Sequence, residues 1–395
     1  MELLGKKWKY INEGNVHIVL QLLETDYVLR LIKEDRPSMD FTHMKICVDF
    51  VNKVMNPLLQ NNNTEEETVQ LPSNILHDLS RLLHDLRPQN RIFKSVISPH
   101  AIKAPNLTIV SSMFKSNYCV EIKPKEGYMC RSLQPYSKCY FCLKQYTKLQ
   151  LKQIQSVSNY CPLDLFSGIR SRMNHAIKCL ADNPQNNFKL FKNGTLVYDE
   201  KSKREYLDCI IKSIGVFDTT DMFIDYIVDI LLGNSCESTL VHESKDRIPG
   251  ECDVTNILGS SSFLYNLLQI QKLTESIIMN EMKETNSDYV PIILKKLESE
   301  KLDLQKQNDR DRFFKVLKPL HTALISAVAK DCSIMISFSP EFDECYPFIQ
   351  VNNTKITYKV SVTDLEPKSL KSVLKRMENE KEMIEIYKEY FGKKQ

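Results

Sequence analysis

Glycine is scarce in this chain, since only 10 of its 395 residues are glycine. A phosphate-binding loop built on repeated glycines is therefore excluded, and a close approach of backbone to phosphate has to use one or two of them. Long apolar stretches are missing too: no run of about 18 apolar residues occurs, and the start MELLGKKWKYINEG has no apolar segment of signal-peptide length. We expect a protein of the cytoplasm, the nucleus or both, with no membrane partner.

An excess of charge of either sign is also lacking. The 53 basic and 50 acidic side chains leave a net charge of +3, so the chain is not a histone-like protein that binds polyanions through its overall charge. A phosphate site would have to concentrate lysine locally. The length and the 42% hydrophobic content predict a large core and two or three structural units.

The 12 cysteines are scattered, which favours free thiols in a reducing compartment over a disulfide scaffold. Cys139 and Cys142 form the one close pair, and Cys130 and Cys161 are the nearest further cysteines. These spacings match no established zinc ribbon or finger pattern. The spacing therefore argues against structural zinc.

The first hundred residues alternate between strand and helix patterns. Residues 8–33 predict a β-meander, with turns at Asn12-Glu13-Gly14-Asn15 and Glu24-Thr25-Asp26. Apolar spacings of three and four predict helices over Met44–Leu59 and Ile75–Leu86, the second ended by Arg87-Pro88.

The remainder of the chain has a mixed pattern. Strand-like runs occupy 107–114 and 118–123, helical patterns resume at Leu149, and the polar, aperiodic stretch 234–262 predicts a long mobile loop. A strand over Cys332–Phe338 is expected to pair with one over Ile356–Val362, which follows a turn at Asn352-Asn353. A β-meander with a helix, followed by a larger mixed part, is typical of a two-lobed ATP-dependent kinase.

Two aspartates stand where phosphoryl transfer would need them. That chemistry requires carboxylates for magnesium, a carboxylate beside the acceptor hydroxyl, and cations around the phosphates. Asp331 directly precedes the first late strand and Asp364 ends the second, so antiparallel pairing would bring them together in a geometry suited to a metal pair. Alternatively, each caps a turn or flanks a strand in solvent.

Lysines flank these aspartates. In VEIKPK at 120–125, the alternation places Glu121, Lys123 and Lys125 on one face of a strand that ends, or runs at an edge, near Pro124. Such a face is either a solvated edge or a place that holds phosphate. Further basic residues occur at helical spacings, namely Lys144 and Lys148, and Lys368, Lys371, Lys375 and Arg376.

A series of motifs, collinear over nearly the whole chain, resembles the inositol-pentakisphosphate 2-kinase family. They are NEGN with VLRLIK near the start, RPQNR at 87–91, VEIKPKEG, CLKQYTKL at 142–149, YCPLDLFSG at 160–168, PQNNFKLFKNG at 184–194, LLQIQKL at 267–273, AKDCSIMISF at 329–338 and VTDLEPK at 362–368. The resemblance implies an α+β, divergent two-lobed kinase-like fold. Its β-rich N-lobe would span 1–110, and its larger C-lobe, with an inserted inositol-phosphate-binding region, would span 111–395.

The resemblance also implies ATP and Mg²⁺ as cofactors and a transfer to the axial 2-hydroxyl of inositol pentakisphosphate, giving inositol hexakisphosphate. Asp331 would be the catalytic base and a metal ligand, Asp364 a metal ligand, and Lys123 and Lys189 would face the transferred phosphate. The implied nucleotide-binding residues are Gly14, Asn15, Arg30, Lys33 and, at the adenine, Asn106. The implied substrate-binding residues are Arg91, Lys125, Lys148, Asn186, Asn187 and Lys368.

The chain departs from the family pattern in four places. Lys33 replaces an arginine of the plant pattern, Lys144 stands where the family usually has histidine, and the basic residues at 371–376 are shifted. Residues 274–320 contain neither cysteine nor histidine, so the zinc ligands of the plant enzymes are absent there and we predict no zinc.

Two rival functions remain open. One is a kinase of a less phosphorylated inositol, and the other is a non-catalytic module that binds inositol phosphate or RNA through the same basic face. The number of lysines favours the highly charged substrate, and the two aspartates favour catalysis. We expect a monomer that requires no nucleic acid.

Overall fold

The structure is a computed structural model that describes residues 1–14, 16–33, 41–94, 98–233, 258–259, 262–274 and 289–392. Asn15 and nearly all of the predicted loop 234–262 lie outside these residues. Within them the chain forms a mixed α/β structure with two antiparallel sheets.

The first sheet contains the predicted β-meander, which is confirmed. Its strands are β1 (Trp8–Glu13), β2 (His17–Leu22), β3 (Tyr27–Ile32), β4 (Glu67–Gln70) and β5 (His100–Pro105), in the order β1-β2-β3-β5-β4. Ile18 and Leu20 alternate with more exposed neighbours along β2, so one face of the sheet joins a core that also contains Leu79 and Leu83. The opposite face carries a second small core around Val28 and Met44.

Three helices accompany this sheet: α1 (Phe41–Phe50), α2 (Asn56–Leu59) and α3 (Leu76–Leu86). The predicted helix over Met44–Leu59 is present but not uniform, because residues Val51–Met55 form a π-helical segment between α1 and α2. π-Helical segments are frequent at functional sites, and Val51 and Asn56 line the apolar cavity described below.

The second sheet lies later in the chain. Its strands are β6 (Tyr118–Ile122), β7 (Phe188–Lys192), β8 (Thr195–Tyr198), β9 (Ser333–Ser339), β10 (Phe348–Val351) and β11 (Thr354–Thr363), in the order β10-β11-β9-β6-β7-β8. Every residue of the central strand β9 is buried. The strand begins and ends with buried serines, Ser333 and Ser339, whose hydroxyls are hydrogen-bonded. The Ser339 hydroxyl, for example, donates to the Ser116 carbonyl at 2.7 Å.

Ten helices described in the structure surround this sheet. They are α4 (Tyr140–Gln150), α5 (Pro162–Leu165), α6 (Arg170–Asp182), α7 (Arg204–Ile214), α8 (Thr220–Leu232), α9 (Phe263–Lys272), α10 (Tyr289–Ser299), α11 (Gln307–Val316), α12 (Pro319–Ala329) and α13 (Leu370–Gly392). The last helix packs on α4, where the rings of Tyr146 and Tyr387 lie 5.2 Å apart. This contact places the basic residues of both helices around one cavity.

Some predicted elements are wrong. Residues 107–114 form turns instead of a strand, because the Asn117 side chain accepts from the Val110 amide at 2.8 Å and donates to the carbonyls of Ser111 and Phe114. Helical structure returns earlier than the expected Leu149, because α4 begins at Tyr140. The turn at Asn352 joins β10 to β11, although the predicted antiparallel pairing of β9 with β11 is confirmed.

Candidate functional site

The two aspartates meet at one edge of the second sheet. Thr363 pairs with Ser333 in the register of β11 and β9, so Asp331 just before β9 and Asp364 just after β11 end up at the same edge. Both line a groove together with Lys123. Asp364 has a left-handed backbone, with φ of 64°, which turns the chain sharply after the strand.

Each aspartate has its own lysine partners. Lys123 donates to Asp364 Oδ2 at 3.1 Å, and Lys368 donates to Asp331 Oδ2 at 2.9 Å. The ammonium of Lys125 lies 3.8 Å from Asp331 Oδ1. Burial works to raise the pKa of Asp331, but the three lysines outweigh burial and hold this pKa below its usual value. Asp331 is therefore an ionised carboxylate at neutral pH, which is chemically able to accept a proton.

A partly buried carboxylate organises the neighbouring strands. Glu121 on β6 pairs in register with Lys189 on β7, whose ammonium donates to Glu121 Oε2 at 3.2 Å. The Ser333 hydroxyl lies 3.1 Å from Glu121 Oε1 and 3.0 Å from Asp364 Oδ2. Ser333 is a residue that the sequence pattern did not single out, because a serine at the start of an apolar strand carries no distinctive spacing.

A basic cavity opens on one side of Asp331. It encloses about 1460 Å³ of space, part of it open to solvent, and eight of its lining residues are lysine or arginine while two are acidic. The cations are Lys123, Lys125, Lys144, Lys148, Lys330, Lys368, Lys375 and Arg376. Asn186 and Asn187 complete the wall, held by a turn in which Asn186 has φ of 62° and the Asn187 carbonyl accepts from the Lys123 amide at 2.9 Å.

The crowding of cations affects their own ionisation. Burial lowers the pKa of Lys125 to about 8. The ammonium groups of Lys123, Lys144 and Lys148 also lower this pKa, whereas the Asp331 carboxylate works to raise it. The pKa of Lys148 is also lowered, by burial and by Lys144. Like charges that repel one another in this way are suited to a polyanionic ligand.

A further group at this cavity belongs to the basic cluster 371–376, whose residues had no individual roles assigned from the sequence. The Arg376 guanidinium lies 3.6 Å from the centroid of the Tyr140 ring and forms an ion pair with the buried Glu126. This arrangement fixes α13 against α4 through a cation–π contact and a charge pair. The sequence alone did not predict these contacts of Arg376 with Tyr140 and Glu126.

A more apolar cavity lies on the other side of the aspartates. It encloses about 900 Å³, partly open to solvent, and its lining includes Val19, Val28, Ala104 and Met335. Asn106 lies at this cavity, where its Nδ2 is buried and has no hydrogen-bond partner within the protein. A buried donor without a partner at the wall of a cavity is a suitable contact for a heteroaromatic base.

A groove joins the two cavities. It shares Arg30 and Asp364 with the apolar cavity, and it shares Lys123, Asp331 and Lys368 with the basic one. Gly14 also lines it, at the turn between β1 and β2. Arg30 is held there by ion pairs with Glu66 and with Glu366.

Two predicted cations lie away from the basic cavity. The Lys33 ammonium donates to Glu13 Oε2 at 2.7 Å and to the Gly14 carbonyl. Arg87 contacts the same carboxylate through Nε at 3.0 Å, and Arg91 Nη1 donates to the Glu13 carbonyl at 3.1 Å. The roles of Lys33 at nucleotide phosphates and of Arg91 at inositol phosphates stay predictions, and Asn15 lies outside the described residues.

An apolar cavity, a strongly basic cavity and a pair of carboxylates between them are suited to phosphoryl transfer from a nucleotide to an anionic small molecule. The fold and the site therefore define the class of protein as a phosphotransferase. Among the described residues, no helix is both long enough and apolar enough to cross a membrane.

Comparisons with known proteins define the family. The model of the inositol-pentakisphosphate 2-kinase family matches residues 10–382. The inositol-pentakisphosphate 2-kinase of Danio rerio is 28% identical over 461 residues, covering 96% of this chain and 92% of that protein. That of Arabidopsis thaliana is 33% identical over 291 residues, covering 68% and 59%. The chain belongs to the inositol-pentakisphosphate 2-kinase family, and it is an enzyme of the kinase class.

Proposed function

We propose that the protein transfers the γ-phosphoryl group of ATP to the axial 2-hydroxyl of inositol pentakisphosphate, giving inositol hexakisphosphate and ADP. The observation that carries this proposal is the position of Asp331, which lines both the groove and the basic cavity. A hydroxyl in the basic cavity and a phosphate in the groove would then meet beside one ionised carboxylate.

The charge of the cavity suits that acceptor. Five phosphates of roughly −1.5 to −2 each give the substrate a charge of roughly −8 to −10, which a protein of net charge +3 cannot hold through its average field. The eight cations of the basic cavity supply the necessary local charge. Each well-formed charge-assisted hydrogen bond contributes about 1.5 to 3 kcal/mol.

The proposed chemistry assigns a separate task to each residue. Asp331 accepts the proton of the 2-hydroxyl. The oxygen of that hydroxyl forms a bond to the γ-phosphorus, and the bond from this phosphorus to the β,γ-bridging oxygen breaks, so that ADP leaves. Lys123 stabilises negative charge on the transferring group. Lys189 supports Lys123 indirectly, because both ammonium groups contact the Glu121 carboxylate.

The residues present also fit the nucleotide and a magnesium ion. Asn106 would face the adenine, and Gly14 and Arg30 line the groove where the phosphates would lie. Asp364 and Asp331 offer the hard carboxylate oxygens that Mg²⁺ prefers, and bound magnesium would offset the charge of the β- and γ-phosphates. The proposed nucleotide-binding N-lobe is residues 1–110, and the proposed substrate-binding C-lobe is residues 111–395.

A substrate panel tests the proposal. Purified protein is incubated with Mg²⁺, ATP labelled at the γ-phosphate, and inositol tris-, tetrakis- or pentakisphosphates, and the products are identified by phosphorus NMR. We expect rapid labelling of the pentakisphosphate at position 2. Preferred labelling of a less phosphorylated inositol would support the first rival function, and tight binding without ATP consumption would support the second.

A further inference from the structure

The segment LLQIQKL at 267–273 forms the second half of α9 and its C-cap, and it lines neither the two cavities nor the groove between them. Within this segment, Gln271 is fully buried. Burying a side-chain amide is costly unless its donors and its acceptor find partners. The partners of Gln271 therefore show which parts of the protein it holds.

The side-chain amide of Gln271 joins two backbone segments that carry site residues. Its Oε1 accepts from the Gly127 amide at 2.9 Å, and its Nε2 donates to the Lys125 carbonyl at 2.9 Å. The same Nε2 donates to the Ala329 carbonyl at 3.0 Å. Both hydrogen atoms of the amide are thereby used, so Gln271 ties the loop 123–128, which follows β6, to the end of α12.

The loop 123–128 needs this support because of its backbone conformation. Lys125 has φ of 60°, in the left-handed region that residues with a side chain adopt only at a cost in free energy. A Cβ at Gly127 would lie 2.3 Å from the Phe166 ring, so the loop is also packed closely on its other side. The two hydrogen bonds of the loop to Gln271 lie on both sides of Glu126 and hold the chain in this conformation.

The second segment leads directly to Asp331. Ala329 is the last residue of α12, and the final carbonyls of a helix have no partner inside the helix. The Ser326 hydroxyl, in the last turn of α12, donates to the Gln271 carbonyl at 2.8 Å. The side chain and the backbone of Gln271 therefore both attach α9 to the helix end that precedes Asp331.

Thr274, three residues after Gln271, connects the same two segments through side chains. The Lys330 ammonium donates to the Thr274 hydroxyl at 2.6 Å. The Tyr128 hydroxyl, at the end of the loop 123–128, lies 3.5 Å from the same oxygen. The end of α9 thus contacts both segments at two successive positions.

We propose that Gln271 is a positioning residue for phosphoryl transfer. By fixing the carbonyls of Lys125 and Ala329 relative to each other, it holds the Lys125 ammonium at its distance of 3.8 Å from Asp331 Oδ1. This role rests on the proposed function, because it uses the proposed tasks of Lys125 in binding the inositol substrate and of Asp331 in accepting the proton. A displacement of about 1 Å at such groups can lower a rate by about 100-fold.

Amide hydrogen exchange tests the geometry without any substrate. With fragmentation that resolves single residues, the Gly127 amide of the wild type should exchange at least about 100-fold more slowly than in an unfolded chain. In Gln271→Met, which keeps the length of the side chain but has no amide, it should exchange at least about tenfold faster than in the wild type. An unprotected Gly127 amide in the wild type, or equal rates in the two proteins, would overturn the proposal.

Kinetics of the same variant test the role in catalysis. With the inositol phosphate that the wild type phosphorylates best, Gln271→Met should raise KM for this acceptor about tenfold and lower kcat about tenfold, while KM for ATP stays within about twofold. A merely structural role would reduce the fraction of active enzyme, which lowers the apparent kcat and leaves both KM values unchanged. Gln269→Met is the matched control, because Gln269 is a half-buried residue of the same helix, and it should behave like the wild type.

A double variant tests whether Gln271 acts through Lys125. In the Lys125→Ala background, Gln271→Met should raise the acceptor KM by less than about twofold, because the ammonium that it positions is already missing. A further tenfold rise there, or an acceptor KM in Gln271→Met equal to that of the wild type, would overturn the proposal. If the wild type prefers another acceptor to the pentakisphosphate, the proposed substrate is wrong, but the same comparisons still decide the role of Gln271.

Discussion

Lys123 and Lys125 lie two residues apart and contact different carboxylates. Lys123 donates to Asp364, in the groove, and Lys125 lies beside Asp331, at the basic cavity. The strand alternation correctly predicted a shared face, but the sequence could not show that the two ammonium groups have separate partners. That separation depends on β9 and β11, which are more than 200 residues away.

This separation predicts different kinetic effects at the two positions. Lys123→Ala should mainly lower kcat, because its charge stabilises the transferring group, and Lys125→Ala should mainly raise KM for the inositol substrate by roughly tenfold or more. Steady-state kinetics with each substrate varied separately measures both effects. The reverse pattern would contradict the assignment, and Lys152→Ala, at an exposed lysine outside the cavity, is the control.

The ionisation of Lys125 predicts a pH dependence. Because burial lowers its pKa to about 8, the free enzyme loses this positive charge as the pH rises through 8, and the affinity for a polyphosphate should fall. Calorimetry in buffers of different ionisation enthalpy should detect proton uptake on binding above pH 8. In Lys125→Arg the charge persists, so KM should rise less between pH 7 and pH 9 than in the wild type, and equal increases in the two proteins would contradict the role of Lys125.

At the scale of elements, the sequence predicts strands better where their neighbours are local. The β1–β3 meander follows from alternation and turn residues and is confirmed. The pairing of β9 with β11 is also confirmed, although the turn at Asn352 joins β10 to β11. The strand β5 was missed because it pairs with strands that are distant in the sequence. A strand over 107–114 was wrongly expected, because hydrogen bonds of the Asn117 side chain hold this segment in turns. Strand ends and residue spacing already singled out Asp331, Asp364 and several lysines, but the individual roles of the site residues came from the family motifs.

The turn between β1 and β2 depends on one buried carboxylate. Burial works to raise the pKa of Glu13, but hydrogen bonds from Arg87 and Lys33 outweigh it and lower the pKa. The Glu13→Gln variant should therefore lose about 3 kcal/mol of unfolding free energy at neutral pH, because two buried cations lose their counter-charge. Denaturant unfolding measures this loss.

The pH dependence of that loss has a defined sign. A lowered folded-state pKa stabilises the protein above the ordinary carboxyl pKa, and this contribution disappears as the pH falls through the lowered value. The difference between wild type and Glu13→Gln should therefore shrink in acid. Glu67→Gln is the control, because the Glu67–Lys103 pair is largely exposed and should contribute little. Equal losses in the two variants would contradict the role of Glu13.

At the scale of the whole molecule, the position of Arg91 predicts that binding of the substrate changes the shape of the protein. It donates to the Glu13 carbonyl in the first sheet's turn and does not line the basic cavity. If substrate phosphates recruit Arg91, the proposed lobes should close, and small-angle scattering should show compaction on adding inositol pentakisphosphate.

The matched variants separate this effect from simple binding. Arg91→Ala should bind substrate without compaction, whereas Arg81→Ala should compact like the wild type, because Arg81 is an exposed residue of α3 paired with Asp78. Identical scattering profiles of the wild type with and without substrate would argue against closure.

The most direct test of the account is the Asp331→Asn variant, assayed separately for binding and for turnover. Asparagine cannot accept the hydroxyl proton, so turnover of inositol pentakisphosphate should fall by at least about 100-fold. The affinity should stay equal or increase, because a negative charge beside the polyanion is removed. Asp311→Asn, on the exposed face of α11, should behave like the wild type. Substantial turnover by Asp331→Asn would contradict the account.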